Sequence, residues 1–83
     1  MKLVYFAWVR ERIGLDFEAV TPPQEVKTIS ALADWLCARG DNYRYALADR
    51  SAIRVARNQT FVGWDEAISE GDEVAFFPPV TGG

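Results

Sequence analysis

Only one stretch of this chain has the spacing of a long amphipathic helix, and most of what surrounds it alternates like strand. Ile29, Leu32, Ala33, Leu36 and Cys37 fall at i, i+3, i+4, i+7 and i+8, on one stripe of a helix over Ile29–Arg39. Thr28 or Ser30 can cap its start, and Gly40 sits just past its end. Such a helix cannot bury its stripe alone. It needs a sheet, and one helix covers only one face of that sheet. An 83-residue chain has room for one core of this kind. The spacing therefore predicts an α+β domain whose sheet keeps an open face.

The strands follow from alternation. Lys2–Trp8 is aromatic and β-branched and reads as a strand, with Leu3, Tyr5 and Ala7 on one side and Lys2, Val4, Phe6 and Trp8 on the other. Val9–Gly14 is a short helical turn stopped by its glycine. Asp16–Val20 pairs with the first strand and ends at Thr21-Pro22-Pro23, where a ladder cannot continue. Tyr43–Leu47 is loop-like or a short helix. Ile53–Arg57 is a half-buried strand, Asn58-Gln59 a turn, and Phe61-Val62 a very short strand. Trp64–Glu70 is a polar connection closed by Gly71. Glu73–Phe77 is the last strand, with Val74 and Phe76 on one face and Ala75 and Phe77 on the other. The expected division is a domain over 1–77 and an extended tail over 78–83, with no internal repeat.

Composition removes several function classes. The chain has no His and one Cys, so it lacks a Ser-His-Asp or Cys-His nucleophile, an imidazole base and the ligands of a zinc site. No disulfide can close within it, which fits a reducing cytoplasm. A formal net charge of −3 argues against binding nucleic acid by phosphate neutralisation. The apolar run Leu3–Val9 is followed at once by Arg10-Glu11-Arg12 without a small-residue cleavage site, so it is not a signal peptide. No run is long enough to span a bilayer. Apolar residues nonetheless make up 49% of the chain, with 5 Phe, 3 Trp and 3 Tyr. That excess is expected to leave some apolar surface exposed as a partner site.

The final six residues differ in kind. Pro78 and Pro79 end the last strand and bias the chain to an extended path of up to about 20 Å. Val80 and Thr81 follow. Gly82 and Gly83 lack Cβ atoms and can thread a channel that would exclude any side chain. The last group is then a main-chain carboxylate on an unhindered carbon. ATP can turn it into an acyl-adenylate, which a sulfur or nitrogen nucleophile attacks with AMP as leaving group. The bland alternative is a frayed end. The tail is expected to be disordered without a partner.

The segment Phe76-Phe77-Pro78-Pro79-Val80-Thr81-Gly82-Gly83, preceded by Gly71-Asp72-Glu73-Val74-Ala75, resembles the end of the small subunits of molybdopterin synthase. Phe6-Ala7-Trp8-Val9-Arg10-Glu11 and Asn58-Gln59 agree with that family, and the likeness runs in order from Lys2 to Gly83. The resemblance implies the β-grasp, ubiquitin-like fold: a mixed sheet with one main helix packed on one face and an extended C-terminal tail. It also implies a sulfur carrier. A ubiquitin-activating-enzyme-like adenylyltransferase would use MgATP to adenylate Gly83, and a sulfurtransferase would convert it to a thiocarboxylate. The tail would enter the large synthase subunit and give sulfur to cyclic pyranopterin monophosphate, in an assembly of two large and two small subunits. No bound cofactor or metal is implied on this subunit, and the catalytic residues would belong to the large one. A thiamine-type sulfur carrier, a ubiquitin-like modifier or a plain interaction domain remain alternatives.

Phe6, Phe61 and Phe77 are candidates for the partner interface, since parity puts Phe6 and Phe77 on the open face; ordinary core packing is the alternative. Arg10 is a candidate for pairing with a partner acid, or a solvated surface charge. Cys37 reads as core. Arg54 and Arg57 read as a solvated strand face. Residues 58–83 carry Asp65, Glu66, Glu70, Asp72 and Glu73 and no Lys or Arg, so the tail is expected to leave from acidic surroundings that match a basic docking surface. Asp41–Ser51 offers no motif.

Overall fold

The first strand, β1 (Lys2–Tyr5), is shorter than its alternation predicts. The chain turns at Phe6 into a helix, α1 (Ala7–Ile13), so Ala7 and Trp8 are helical rather than strand. The turn is made at Ala7, whose φ of 52° lies in the left-handed region. The Phe6 carbonyl accepts from the amides of Val9 and Arg10 at 3.1 and 3.3 Å. Burial decides the outcome: as a helix the segment puts Val9 and Ile13, four apart, together into the core. Gly14 closes it at φ 93°, its amide donating to the Arg10 carbonyl at 2.8 Å.

In the computed structural model residues 1–79 are described. The path of Val80, Thr81, Gly82 and Gly83, including their expected disorder, lies outside the described residues. After α1 come β2 (Phe17–Ala19), α2 (Ile29–Cys37) and α3 (Asp41–Ala46). A short 3-10 turn, Arg50–Ala52, leads to β3 (Arg54–Arg57), β4 (Thr60–Val62) and β5 (Glu73–Phe77). The Thr28 hydroxyl caps α2 by accepting from the Ala31 amide at 3.1 Å. The helix ends at Cys37, two residues before its predicted end at Arg39. The stretch around Tyr43 proves helical because Tyr43 and Ala46 reach the core from one side of it. Asn58 and Gln59 both have positive φ, 51° and 69°, as a two-residue hairpin turn requires.

The sheet order is β2-β1-β5-β3-β4. The two central strands, β1 and β5, run parallel, and the other neighbours are antiparallel. Leu3, Tyr5, Val55, Val74 and Phe76 point from the sheet into a core shared with Ile29, Leu32 and Leu36 of α2. The short helices α1 and α3 pack into the same core, so all three helices cover one face. The connection from Trp64 to Ile68 runs beside the start of α2. Carbonyls of Glu66 and Trp64 accept from the Ile29 and Ser30 amides at 3.0 and 2.9 Å, satisfying donors the helix itself leaves over. Among the described residues, no helix is long and apolar enough to cross a membrane.

A polar cluster closes the β2 side of the core. The hydroxyls of Tyr5 and Tyr43 both donate to Glu18 Oε2, at 2.7 and 2.6 Å, and Arg39 reaches Oε1 at 3.4 Å. Burial first, and then the hydrogen bond to Glu18, push the Tyr43 phenol up to about 12. Tyr5 is raised from the same causes in the same order. In the unfolded chain a tyrosine titrates near 10, so the stability from these phenols is whole below about pH 10. It falls as the pH climbs toward about 12. Denaturant melts should therefore show stability dropping over that window, and Tyr43→Phe should flatten the drop; an equal slope in both chains contradicts it.

Candidate docking face and tail exit

The parallel pairing of β1 with β5 sets Tyr5 opposite Phe76, and the next residues, Phe6 and Phe77, fall side by side on the other face. Their rings meet edge to face at 6.5 Å between centroids. Phe61, from the edge strand β4, lies 5.6 Å from Phe77 on its other side. Phe6 is 48% exposed and Phe61 78%, which for rings of this size leaves apolar area in water. The amide of Phe6 donates to the Phe76 carbonyl at 3.2 Å and holds the end of β1 against β5. The structure thus brings together all three phenylalanines predicted for the interface. They stand where β5 hands over to Pro78 and Pro79, both half-buried.

The face extends further than these rings. The registers align Phe17, Val4, Ala75, Ala56 and Phe61 in one row across the five strands. Small residues fill its centre, and an exposed aromatic stands at each edge. Phe17 is 61% exposed, with the Lys2 ammonium 5.3 Å above its ring. Phe17 was not among the residues expected at the site. Alternation within β2 could have found it, since Phe17 and Ala19 share the face opposite Glu18.

Arg10 stands on α1 near the same end. Its Nε lies 3.7 Å from Asp16 Oδ1, and both side chains are exposed, so the pair is worth little to stability. Cys37 is half-buried at the end of α2, with Sγ 3.9 Å from the Tyr43 carbonyl.

Two expectations need correction. Arg57 is not part of a solvated face. It points to the helix side, where its Nε donates to Asp72 Oδ2 at 2.7 Å and Nη1 to Glu66 at 3.4 Å. Asp72 is buried and also accepts from Asn58 Nδ2 and the Ser69 amide, at 3.0 and 2.7 Å. The Arg57 hydrogen bond, with help from Ser69 and Asn58, holds its carboxyl below the usual carboxylate range. Nor do the acids of the last third of the chain surround the tail exit. Glu66, Glu70, Asp72 and Glu73 gather where β5 begins, whereas the tail leaves from its far end beside Arg54, the register partner of Phe77. A strand of this length separates the two ends by about 13 Å, a distance that chain order alone does not reveal.

Residues 3–83 match the ThiS family. The molybdopterin synthase sulfur carrier subunit of Escherichia coli (strain K12) is 43% identical over 83 residues, covering 100% of this chain and 99% of that protein. The chain belongs to the ThiS family and is homologous to molybdopterin synthase sulfur carrier subunits. Its backbone matches the crystal structure of SAMP1 from Haloferax volcanii with a TM-score of 0.75 and 30% identity, over 100% of this chain and 98% of that one. A complex of subunits 1 and 2 of molybdopterin-converting factor from Helicobacter pylori contains a chain with the same fold, at TM-score 0.65 and 17% identity, over 99% of this chain and 96% of that one. The mixed sheet, with β1 and β5 parallel at its centre and the helices on one side, is the ubiquitin-like β-grasp fold expected from the resemblance. Within this ThiS-family member, α1 and α3 extend the helical turn expected at Val9–Gly14 and the short helix weighed at Tyr43–Leu47, each beginning two residues earlier.

Proposed function

We propose that this chain is the sulfur-carrying subunit of a molybdopterin synthase and that Gly83 bears the sulfur. The Gly83 carboxylate attacks the α-phosphorus of MgATP on an adenylyltransferase, pyrophosphate leaves, and an acyl-adenylate forms. Sulfur delivered at the sulfide level by a sulfurtransferase attacks the acyl carbon, AMP leaves, and a thiocarboxylate remains. A thiocarboxylate is a softer nucleophile than a carboxylate and is anionic near neutral pH. It attacks cyclic pyranopterin monophosphate in the large subunit, and two charged carriers complete one dithiolene. Catalytic groups, pterin ligands and the ATP site belong to the partners, and the assembly is two large and two small subunits in the cytoplasm.

One observation carries this reading. Pro78-Pro79 follows β5 and leads through Val80-Thr81 to Gly82-Gly83, in a chain matched along its whole length to sulfur carrier subunits. The open face supports it from the side of binding. Phe6, Phe61 and Phe77 give the large subunit an aromatic anchor beside the tail exit, and Arg10 gives it a cation. Pro78, Pro79, Val80, Thr81 and Gly82 form the leash that carries Gly83 into the partner's active site, separate from the 1–77 domain.

Intact mass spectrometry tests the proposal. After incubation with an adenylyltransferase, MgATP and a sulfur donor, the chain should gain the mass of one sulfur-for-oxygen exchange, located at Gly83. An unchanged mass overturns it. The likeness to SAMP1, whose other solved structure names it small archaeal modifier protein 1, favours a modifier as second reading. A modifier would appear as Gly83 joined to lysines of other proteins. Co-purification with a large synthase subunit separates the molybdenum from the thiamine pathway.

A further inference from the structure

Arginines stand at both ends of the sheet, but the lysines keep to one. Its only lysines are Lys2 and Lys27; the other seven basic residues are arginines. Both lysines and the Met1 amine lie toward the end of the sheet where β5 begins. Lys2 is the register partner of Glu73, the Lys27 carbonyl accepts from Ile68, and the Met1 amine donates to the Val20 carbonyl at 3.1 Å. The end from which the tail leaves has Arg54 opposite Phe77 and Arg10 on α1. Cys37 is packed in the helical layer.

This division matters if Gly83 is activated, so the inference rests on the function proposed above. An acyl-adenylate is an electrophile for any amine it can reach. Six residues follow Phe77, a reach of about 20 Å when fully extended. The residue at position 54 lies within about 6 Å of Phe77, so a short loop of tail can bring Gly83 onto its side chain at modest entropic cost. Lys2 lies four residues back along the strands, about 13 Å away. Its ammonium leans further off, toward Phe17 on the edge strand. Reaching it takes roughly two thirds of the tail's extended length before that further offset is added.

We propose that Arg54 is a specificity residue of the activated carrier: it keeps positive charge beside the tail exit in a group that cannot be acylated, so the chain does not consume its own Gly83. The guanidinium stays protonated and delocalised and does not attack a carbonyl. A lysine there would. Its ε-nitrogen would bond to the Gly83 carbonyl carbon, the bond to oxygen would break, AMP would leave, and the ammonium proton would pass to solvent. The product is a closed lactam that can carry no sulfur.

The test needs no activating enzyme. The full chain is prepared as a Gly83 thioester by intein cleavage and held at about pH 9, where more lysine is neutral. The ε-amine then displaces the thiol instead of AMP. Arg54 is exposed, and among the described residues its side chain donates only to the Ser51 and Ile53 carbonyls, so lysine is accommodated. The parent and Arg54→Gln should only hydrolyse. Arg54→Lys should give, at a yield at least about tenfold higher than the parent, a product one water lighter than the acid, with residue 54 joined to Gly83 in its peptide map. Hydrolysis of Arg54→Lys at the parent's rate without that product overturns the proposal. So does comparable cyclisation of the parent through Lys2, Lys27 or Met1. Failure of the carrier reading shows separately, as absence of the sulfur exchange in the parent chain.

Discussion

A variant with one extra residue after Gly83 should form no thiocarboxylate at Gly83 and should lose sulfur transfer by at least about 100-fold, while melting at the temperature of the parent chain. The extra residue turns the Gly83 carboxylate into a peptide carbonyl. An amide oxygen does not displace pyrophosphate from ATP, so Gly83 itself can no longer be activated, and the only terminal carboxylate is that of the added residue. The reactive end also moves one residue, about 3.5 Å, from where the tail delivers it. Deleting Gly83 tests that second effect alone. It restores a carboxylate on Gly82 but sets it about 3.5 Å short. Since misplacement by 1 Å can cost about 100-fold, sulfur transfer by the shortened chain should fall by at least that factor. The fold should not respond, because the core of buried residues ends with Phe76. Mass spectrometry reads charging, a coupled synthase assay reads transfer, and thermal melts read the fold. Transfer by the extended chain at the parent's rate would sink the terminal-carboxylate chemistry.

Adjacent phenylalanines should behave in opposite ways. Phe76 is fully buried, with its ring centroid 6.1 Å from those of both Tyr5 and Trp64. Phe76→Ala removes that ring from the centre of the core, at a cost of about 3–5 kcal/mol. Small domains are stable by as little as about 5 kcal/mol, so the variant should be largely unfolded or melt at least about 15 °C lower. Phe77 is half-buried on the open face between Phe6 and Phe61. Phe77→Ala should leave the melting temperature within a few degrees. It should weaken binding to a large synthase subunit by about 30-fold, the loss of an anchor worth about 2 kcal/mol. Melting curves and a binding titration read the two together. If Phe77→Ala melts like Phe76→Ala, the parity of β5 is wrong; if it binds like the parent, the docking face lies elsewhere.

Much of the fold was legible because it depends on short periods. Spacing located α2 to within two residues at its end, and alternation assigned the faces of β5 at every position. The misses have physical causes. Phe6-Ala7-Trp8 carries strand propensity, but burying Val9 and Ile13 together outweighs it, and the chain turns into α1. Tyr43 sits in a polar stretch whose reason for helicity, a phenol reaching Glu18 from 25 residues away, is invisible locally. Arg57 looks like a solvated charge until Asp72, 15 residues on, turns up beside it.

For the site, chain order already held the residues on which the proposed chemistry rests: Pro78-Pro79, then Gly82-Gly83, with no His and one Cys to compete as nucleophiles. It also held the parity that separates Phe76 from Phe77. Both follow from covalent geometry, which acts between near neighbours. What surrounds the end of β5 was decided by tertiary structure alone. The parallel register of β1 and β5 sets Phe6 beside Phe77, residues 71 positions apart, and β3 adds Arg54. The same pairing sends Lys2 and Glu73 to the opposite end. Strand order and register depend on which arrangement buries the most apolar surface over the whole chain, and no local period encodes that choice.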